Sequence, residues 1–74
     1  VLAFMGQTER AIIHYERSLR LSPNNADAHN ELGILLARQR KLAQAVEHFE
    51  QALRIDPQHK GARENLKRIK EQMK

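Results

Sequence analysis

The segment ADAHNELGILLARQRKLAQAVEHFEQALRIDPQH, residues 26–59, decides the fold. Within it His29, Leu32, Gly33 and Leu36 are followed by Ala45, Phe49, Ala52 and Pro57. A shift of 34 residues toward the N-terminus carries Ala45, Phe49 and Pro57 onto Ala11, Tyr15 and Pro23, the same residue classes at the same spacing. Self-similarity at such a period marks a repeat architecture, in which each unit buries its apolar face on the next.

Working outward, each half of the period reads as a short helix. Asn24 or Asn25 can cap a helix running roughly from Asn25 to Gln39, with Ala28, Leu32, Leu35 and Leu36 as its apolar stripe. Gly33 stands in the middle of it, where glycine costs about 1 kcal/mol relative to alanine. Close approach of a neighbouring helix would explain its presence. Arg38 to Lys41 forms a polar turn, and a further helix is predicted from about Leu42 to Ile55, with Leu42, Ala45, Val46, Phe49, Ala52 and Leu53 turned inward. Asp56-Pro57 ends it, since proline lacks an N–H and disfavours helix in the residue before it.

Upstream, Ser22-Pro23-Asn24 stops a helix that Thr8 can cap and that carries Ala11, Ile12, Tyr15, Leu19 and Leu21 to its end. Val1 to Met5 followed by Gly6 reads as the tail of a separate helix closed by glycine, cut from a longer chain. Downstream, about Gln58 to Met73 shows Ala62, Leu66, Ile69 and Met73 on one face. No stretch alternates as a strand would. Helices of this length are marginal alone in water, so each must cover its stripe with a sequence neighbour.

Composition agrees. The 74 residues are 41% hydrophobic and 30% charged with only two prolines and three glycines, a balance that suits a helical protein rather than a disordered one. There is no cysteine, hence no disulfide or thiolate zinc site. No run approaches the ~18 apolar residues of a membrane span, and the first residues lack the features of a signal peptide. Nothing here fixes a compartment; the soluble composition leans toward the cytoplasm. The formal charge of +4 is confined to residues 60–74, where six basic side chains face Glu64 and Glu71; the other 59 residues are balanced.

The pattern resembles the tetratricopeptide repeat family. His29 stands where that family favours tryptophan, Leu36 where it has tyrosine, and Leu32-Gly33, Ala45, Phe49, Ala52 and Pro57 match directly. Gly6, Ala11, Tyr15, Ser18 and Pro23 fit the second half of a preceding repeat; Ala62 and Leu66 begin another, with Lys67 in place of its glycine. The resemblance implies an all-α right-handed solenoid of antiparallel helix-turn-helix units. It divides the chain into the end of one repeat (1–25), a complete repeat (26–59) and a terminal capping helix (60–74).

The resemblance further implies a non-enzymatic scaffold that binds a peptide or partner protein on a concave face lined by the first helix of each pair. Carried over, the groove positions are Asp27, Asn30, Glu31, Ile34 and Arg38, with Glu64, Arg68 and Phe4 flanking. The plain alternative for any one of them is a solvated surface side chain. A subgroup of the family clamps the C-terminal carboxylate of heat-shock chaperones. The matching positions here are Glu31, Gly61 and Asn65, and Glu31 would repel that carboxylate, so no such clamp is expected.

Other chemistries find little support. His14 and His48 are one period apart, too far to share an ion in a stacked array, and no histidine pair has the i, i+3 or i, i+4 spacing of a helical zinc site. No metal or other cofactor is implied. There is no phosphate loop, HExxH or nucleophile elbow, and Ser18 and Ser22 occupy a helix packing position and a pre-proline turn. Lys60, Arg63, Lys67, Lys70 and Lys74 form a stripe, with Glu64–Arg68 and Lys67–Glu71 able to pair. Without interleaved aromatics this reads as the wet face of a capping helix before a nucleic-acid surface. The alternative to partner binding is self-association, since Val1, Leu2, Phe4 and Met5 add apolar surface beside an uncovered first helix.

Overall fold

Four helices follow one another: α1 (Leu2–Leu21), α2 (Ala26–Arg38), α3 (Leu42–Ile55) and α4 (Lys60–Gln72). They come from a computed structural model that describes residues 2–74, with side chains from Gly6 onward. The side chains of Leu2, Phe4 and Met5, and all of Val1, lie outside the described set, so the apolar patch and flanking role assigned to them have no structural account.

Local chemistry sets the boundaries. Asn25 caps α2, its side-chain oxygen accepting the Ala28 N–H at 3.0 Å, which satisfies one of the donors a helix start leaves open. α2 closes in a Schellman motif: the Lys41 N–H reaches the Leu36 carbonyl at 2.9 Å and the Arg40 N–H that of Ala37 at 3.0 Å. That geometry puts Arg40 at φ 63°, in the left-handed region where glycine is the usual occupant. His59 caps α4 with its ring, Nδ1 accepting the Ala62 N–H at 3.1 Å.

The expected break at Gly6 is not there. α1 runs unbroken from Leu2 to Leu21, Gly6 and Thr8 lie inside it, and among the described residues no glycine has a positive φ. A helical glycine lowers stability without stopping the helix. The residues after it, Gln7, Glu9, Arg10 and Ala11, are good helix formers, so the chain continues through it. Two apolar positions assigned to inward faces also differ: Leu21, at the very end of α1, is 87% exposed, and Met73, just past α4, is 51% exposed.

α2 is the organising helix, in contact with α1, α3 and α4. The core joins Ile12 of α1, Leu32 and Leu36 of α2, Ala45 and Phe49 of α3 and Ile69 of α4. Three alanines, Ala45, Ala52 and Ala62, are wholly enclosed, and their small side chains let the helix axes approach. The tightest approach is at Gly33. A Cβ built there would stand 2.6 Å from Cε1 and 2.8 Å from Cδ1 of the Phe49 ring. The glycine in mid-helix is therefore a socket for the aromatic of the next helix. The molecule spans 35 × 34 × 16 Å, a slab in which consecutive helices lie side by side.

Candidate functional site

On one side of α2 an open groove of about 270 Å³ separates it from α4. Its walls are Ile34, Ala37 and Arg38 from α2 and Asn65, Arg68, Ile69 and Gln72 from α4, with Phe49 reaching in from α3. These positions follow from helical spacing: Ile34, Ala37 and Arg38 are three and four apart, as are Asn65, Arg68, Ile69 and Gln72, so each set lies on one face. The middle of the groove is apolar. Two guanidinium groups, Arg38 and Arg68, border it, and no carboxylate lies among its lining residues.

Of the eight positions assigned to a concave face, the seven whose side chains are described fall into three groups. Ile34, Arg38 and Arg68 line this groove together. Asp27 and Asn30 tie α2 to α4 instead. Asp27 Oδ1 accepts a hydrogen bond from His59 Nε2 at 2.7 Å, and Asn30 Oδ1 accepts one from Asn65 Nδ2 at 3.0 Å. Asn30 is 6% exposed, so it is a buried polar link between the two groove walls. Glu31 and Glu64 are exposed and stand outside the groove lining. Ala37, Asn65, Ile69 and Gln72 complete the site. Extending the α2 set by one residue and the α4 set by one turn on either side of Arg68 would have found them.

His59 shows how a neutral imidazole can serve two helices. Its Nδ1 accepts the Ala62 N–H, which places the ring proton on Nε2, and Nε2–H then donates to Asp27. Arg63 closes the same corner, its Nη2 donating to the Pro57 carbonyl at 2.8 Å. The relative position of α2 and α4, and hence the width of the groove, is held by these bonds and by the Asn30–Asn65 pair. The intrahelical pairs Glu64–Arg68 and Lys67–Glu71 do not form; among the described residues the contact of His59 with Asp27 is the one within ion-pair distance, and with the neutral ring it is a hydrogen bond.

On the opposite side of α2, His29 and His48 meet with their Nδ1 atoms 3.1 Å apart and ring planes inclined by 30°. The centroids are 5.3 Å apart, so the rings meet through their Nδ1 edges rather than face to face. Spacing along the chain could not show this contact, since 19 residues separate the two. A zinc ion takes four ligands, and this pair supplies two. Among the described residues no group of three or more histidine, cysteine, aspartate or glutamate side chains could hold a metal.

The repeat spacing, the Gly33–Phe49 socket and the helix pairs agree with a comparison against protein families, in which the tetratricopeptide repeat matches residues 1–60. The chain belongs to the tetratricopeptide repeat family. Repeats of this family generally mediate protein–protein interaction, and the family is generally a non-catalytic scaffold. A comparison with curated proteins finds no match. Among the described residues no helix of this repeat protein is long and apolar enough to cross a membrane.

Proposed function

We propose that the chain is a protein-interaction module whose α2–α4 groove takes a partner segment bearing an apolar side chain next to a carboxylate. The observation that carries the reading is the lining itself: Ile34, Ala37 and Ile69 between Arg38 and Arg68, with no acidic residue among them. The volume of about 270 Å³ is below that of most small-molecule sites and fits one or two side chains of a bound segment. A guanidinium is suited to this, because its planar fork matches a carboxylate and its charge persists at every physiological pH. In this reading residues 26–59 form the complete repeat, 1–25 the end of another, and α4 the wall that completes the groove.

Asn30 is better left intact in a test, because its substitution would disturb the α2–α4 link as well as any ligand contact. The suitable variant is Arg38→Glu with Arg68→Glu, both exposed. A random peptide display library panned on the wild-type chain should enrich sequences with an acidic residue beside an apolar one, and those peptides should lose at least tenfold in affinity for the variant. Enrichment of peptides that bind both proteins equally refutes the groove reading.

A second reading, association of two copies through α1, is favoured by Ile13 and Leu21, which are 49% and 87% exposed on a helix whose packing partner among the described residues is chiefly α2. Sedimentation over a range of concentrations separates the two. A monomer throughout removes self-association; a dimer that Ile13→Glu dissociates supports it.

A further inference from the structure

We propose that His48, His29 and the Pro23 carbonyl form a proton-sensitive latch that fastens α3 and the α1–α2 turn to α2. The three groups are joined in series. His29 Nε2 lies 3.1 Å from the Pro23 carbonyl oxygen, which can only accept, so His29 carries its proton on Nε2 and donates it there. The Nδ1 of His29 is then a bare acceptor, and the 3.1 Å contact with His48 is a hydrogen bond only if His48 Nδ1 holds the proton. One tautomer of each ring satisfies the whole chain of contacts. It spans α3, α2 and the turn at residues 22–25, which Asn25 also ties to α2 through the Ala28 and His29 N–H groups.

The same assignment dictates how the latch responds to acid. A first proton can enter at His48 Nε2 and leaves the Nδ1–H···Nδ1 bond in place. A second must go to His29 Nδ1, the acceptor, and its arrival both removes the bond and sets two cations edge to edge. The latch therefore tolerates one added proton and opens with two.

Charged groups surround it on each packed element. Glu16 and Arg20 of α1 line the same cleft as His29, Leu32 and His48, and Glu47 lies beside His48 on α3. Burial and then the neighbouring His29 hold the His48 ring below the ordinary value of 6.5, against the opposite pull of Glu47 and Glu16. Burial and His29 prevail, so the closed latch disfavours the added charge. The groove between α2 and α4 lies on another face of α2. Acid should loosen α1 and α3 at this seam while the Asn30–Asn65 link persists.

The test uses the full chain labelled with ¹⁵N. At neutral pH the long-range nitrogen–proton spectrum of the histidine rings should show His29 protonated on Nε2 and His48 on Nδ1; a proton on His29 Nδ1 overturns the proposal. Hydrogen exchange of the Ala28 and His29 amides, both bonded to Asn25, corrected for intrinsic rate, should then report an opening constant that rises by about tenfold per pH unit as acid drives the last protonation. His48→Gln offers a carboxamide that can donate to the neutral His29 ring or turn and accept from the protonated one, so the contact survives acid and that constant should become independent of pH; His14→Gln, altering an exposed ring, should leave the wild-type dependence intact. If His48→Gln retains the wild-type slope, the latch is refuted. Should that variant fail to fold, the wild-type spectrum still decides, because the latch exists only with His29 protonated on Nε2 and His48 on Nδ1.

Discussion

Replacing Gly33 with alanine sets two effects of known size against each other. Alanine in a helix interior is favoured over glycine by about 1 kcal/mol, so on propensity alone Gly33→Ala would stabilise α2. The added methyl, however, falls 2.6, 2.8 and 3.0 Å from Cε1, Cδ1 and Cζ of Phe49. Carbon atoms in contact stand about 3.5–4.0 Å apart, so the ring and the methyl must separate by about 1 Å. Phe49 is 2% exposed, and Ala45 and Ala52 on the same helix are fully enclosed, so the ring can retreat only if α3 moves off α2. Overpacking of this kind costs about 1–3 kcal/mol. After the propensity gain, a net loss of up to about 2 kcal/mol is expected, which lowers the melting temperature of so small a domain by up to about 15 °C. Gly6→Ala is the control, since a Cβ there meets nothing within 4 Å and the position is helical. It should stabilise by up to about 1 kcal/mol. Thermal and urea unfolding followed by circular dichroism compare the two. If both substitutions shift stability in the same direction, the socket is not what keeps Gly33. In a Phe49→Leu background the penalty of Gly33→Ala should shrink, a coupling that a double-mutant cycle reads directly.

Three further expectations follow from other parts of the fold. Arg40→Gly should stabilise by about 1 kcal/mol, because φ 63° strains a side-chain-bearing residue at the end of α2; unchanged urea unfolding would contradict this. Asn65→Ala should cost about 1–2 kcal/mol by stranding the buried Asn30 oxygen. Asn65→Asp should recover part of that loss, since the Asn30 amide can turn to donate, and equal losses in both variants would argue against the pair. For pH, the folded chain holds His48 below 6.5, so the unfolded chain binds more protons between the two values. The contribution of His48 to stability is therefore in place above pH 6.5 and is lost as pH falls through the folded value, a decline that urea unfolding at stepped pH should show and His48→Gln should lessen.

The helices from Ala26 onward were legible because each signal there is local. Asn25 and Pro57 act within a few residues, and the apolar spacing of α3 needs nothing beyond itself. Gly33 could be recognised as a packing glycine, but only the structure names Phe49 as its partner. Gly6 shows the limit of the same reasoning: a glycine marks a helix end only when the chain turns there, and in α1 nothing makes it turn. The groove was partly readable. Ile34, Arg38 and Arg68 could be placed by repeat position, whereas the burial of Asn30 depends on a residue 35 positions away, and the diversion of Asp27 to His59 on one 32 away. Such pairings leave no periodic trace in a single sequence.

The histidine seam occupies a position where the chain departs from its family. A tryptophan, favoured at residue 29, would fill the seam with an apolar ring and could donate one N–H, but it could not accept. Histidine has a second nitrogen at that place, and a half-buried acceptor lowers stability unless it is matched. His48, on the facing helix, supplies the match at 3.1 Å, and the Pro23 carbonyl fixes which nitrogen needs it. The departure is thus compensated by two particular neighbours rather than by general packing. A surface histidine that happened to replace tryptophan would need neither. The exchange gives up apolar contact for a bond that depends on proton occupancy, which is what makes this seam the place where the proposed latch answers to acid.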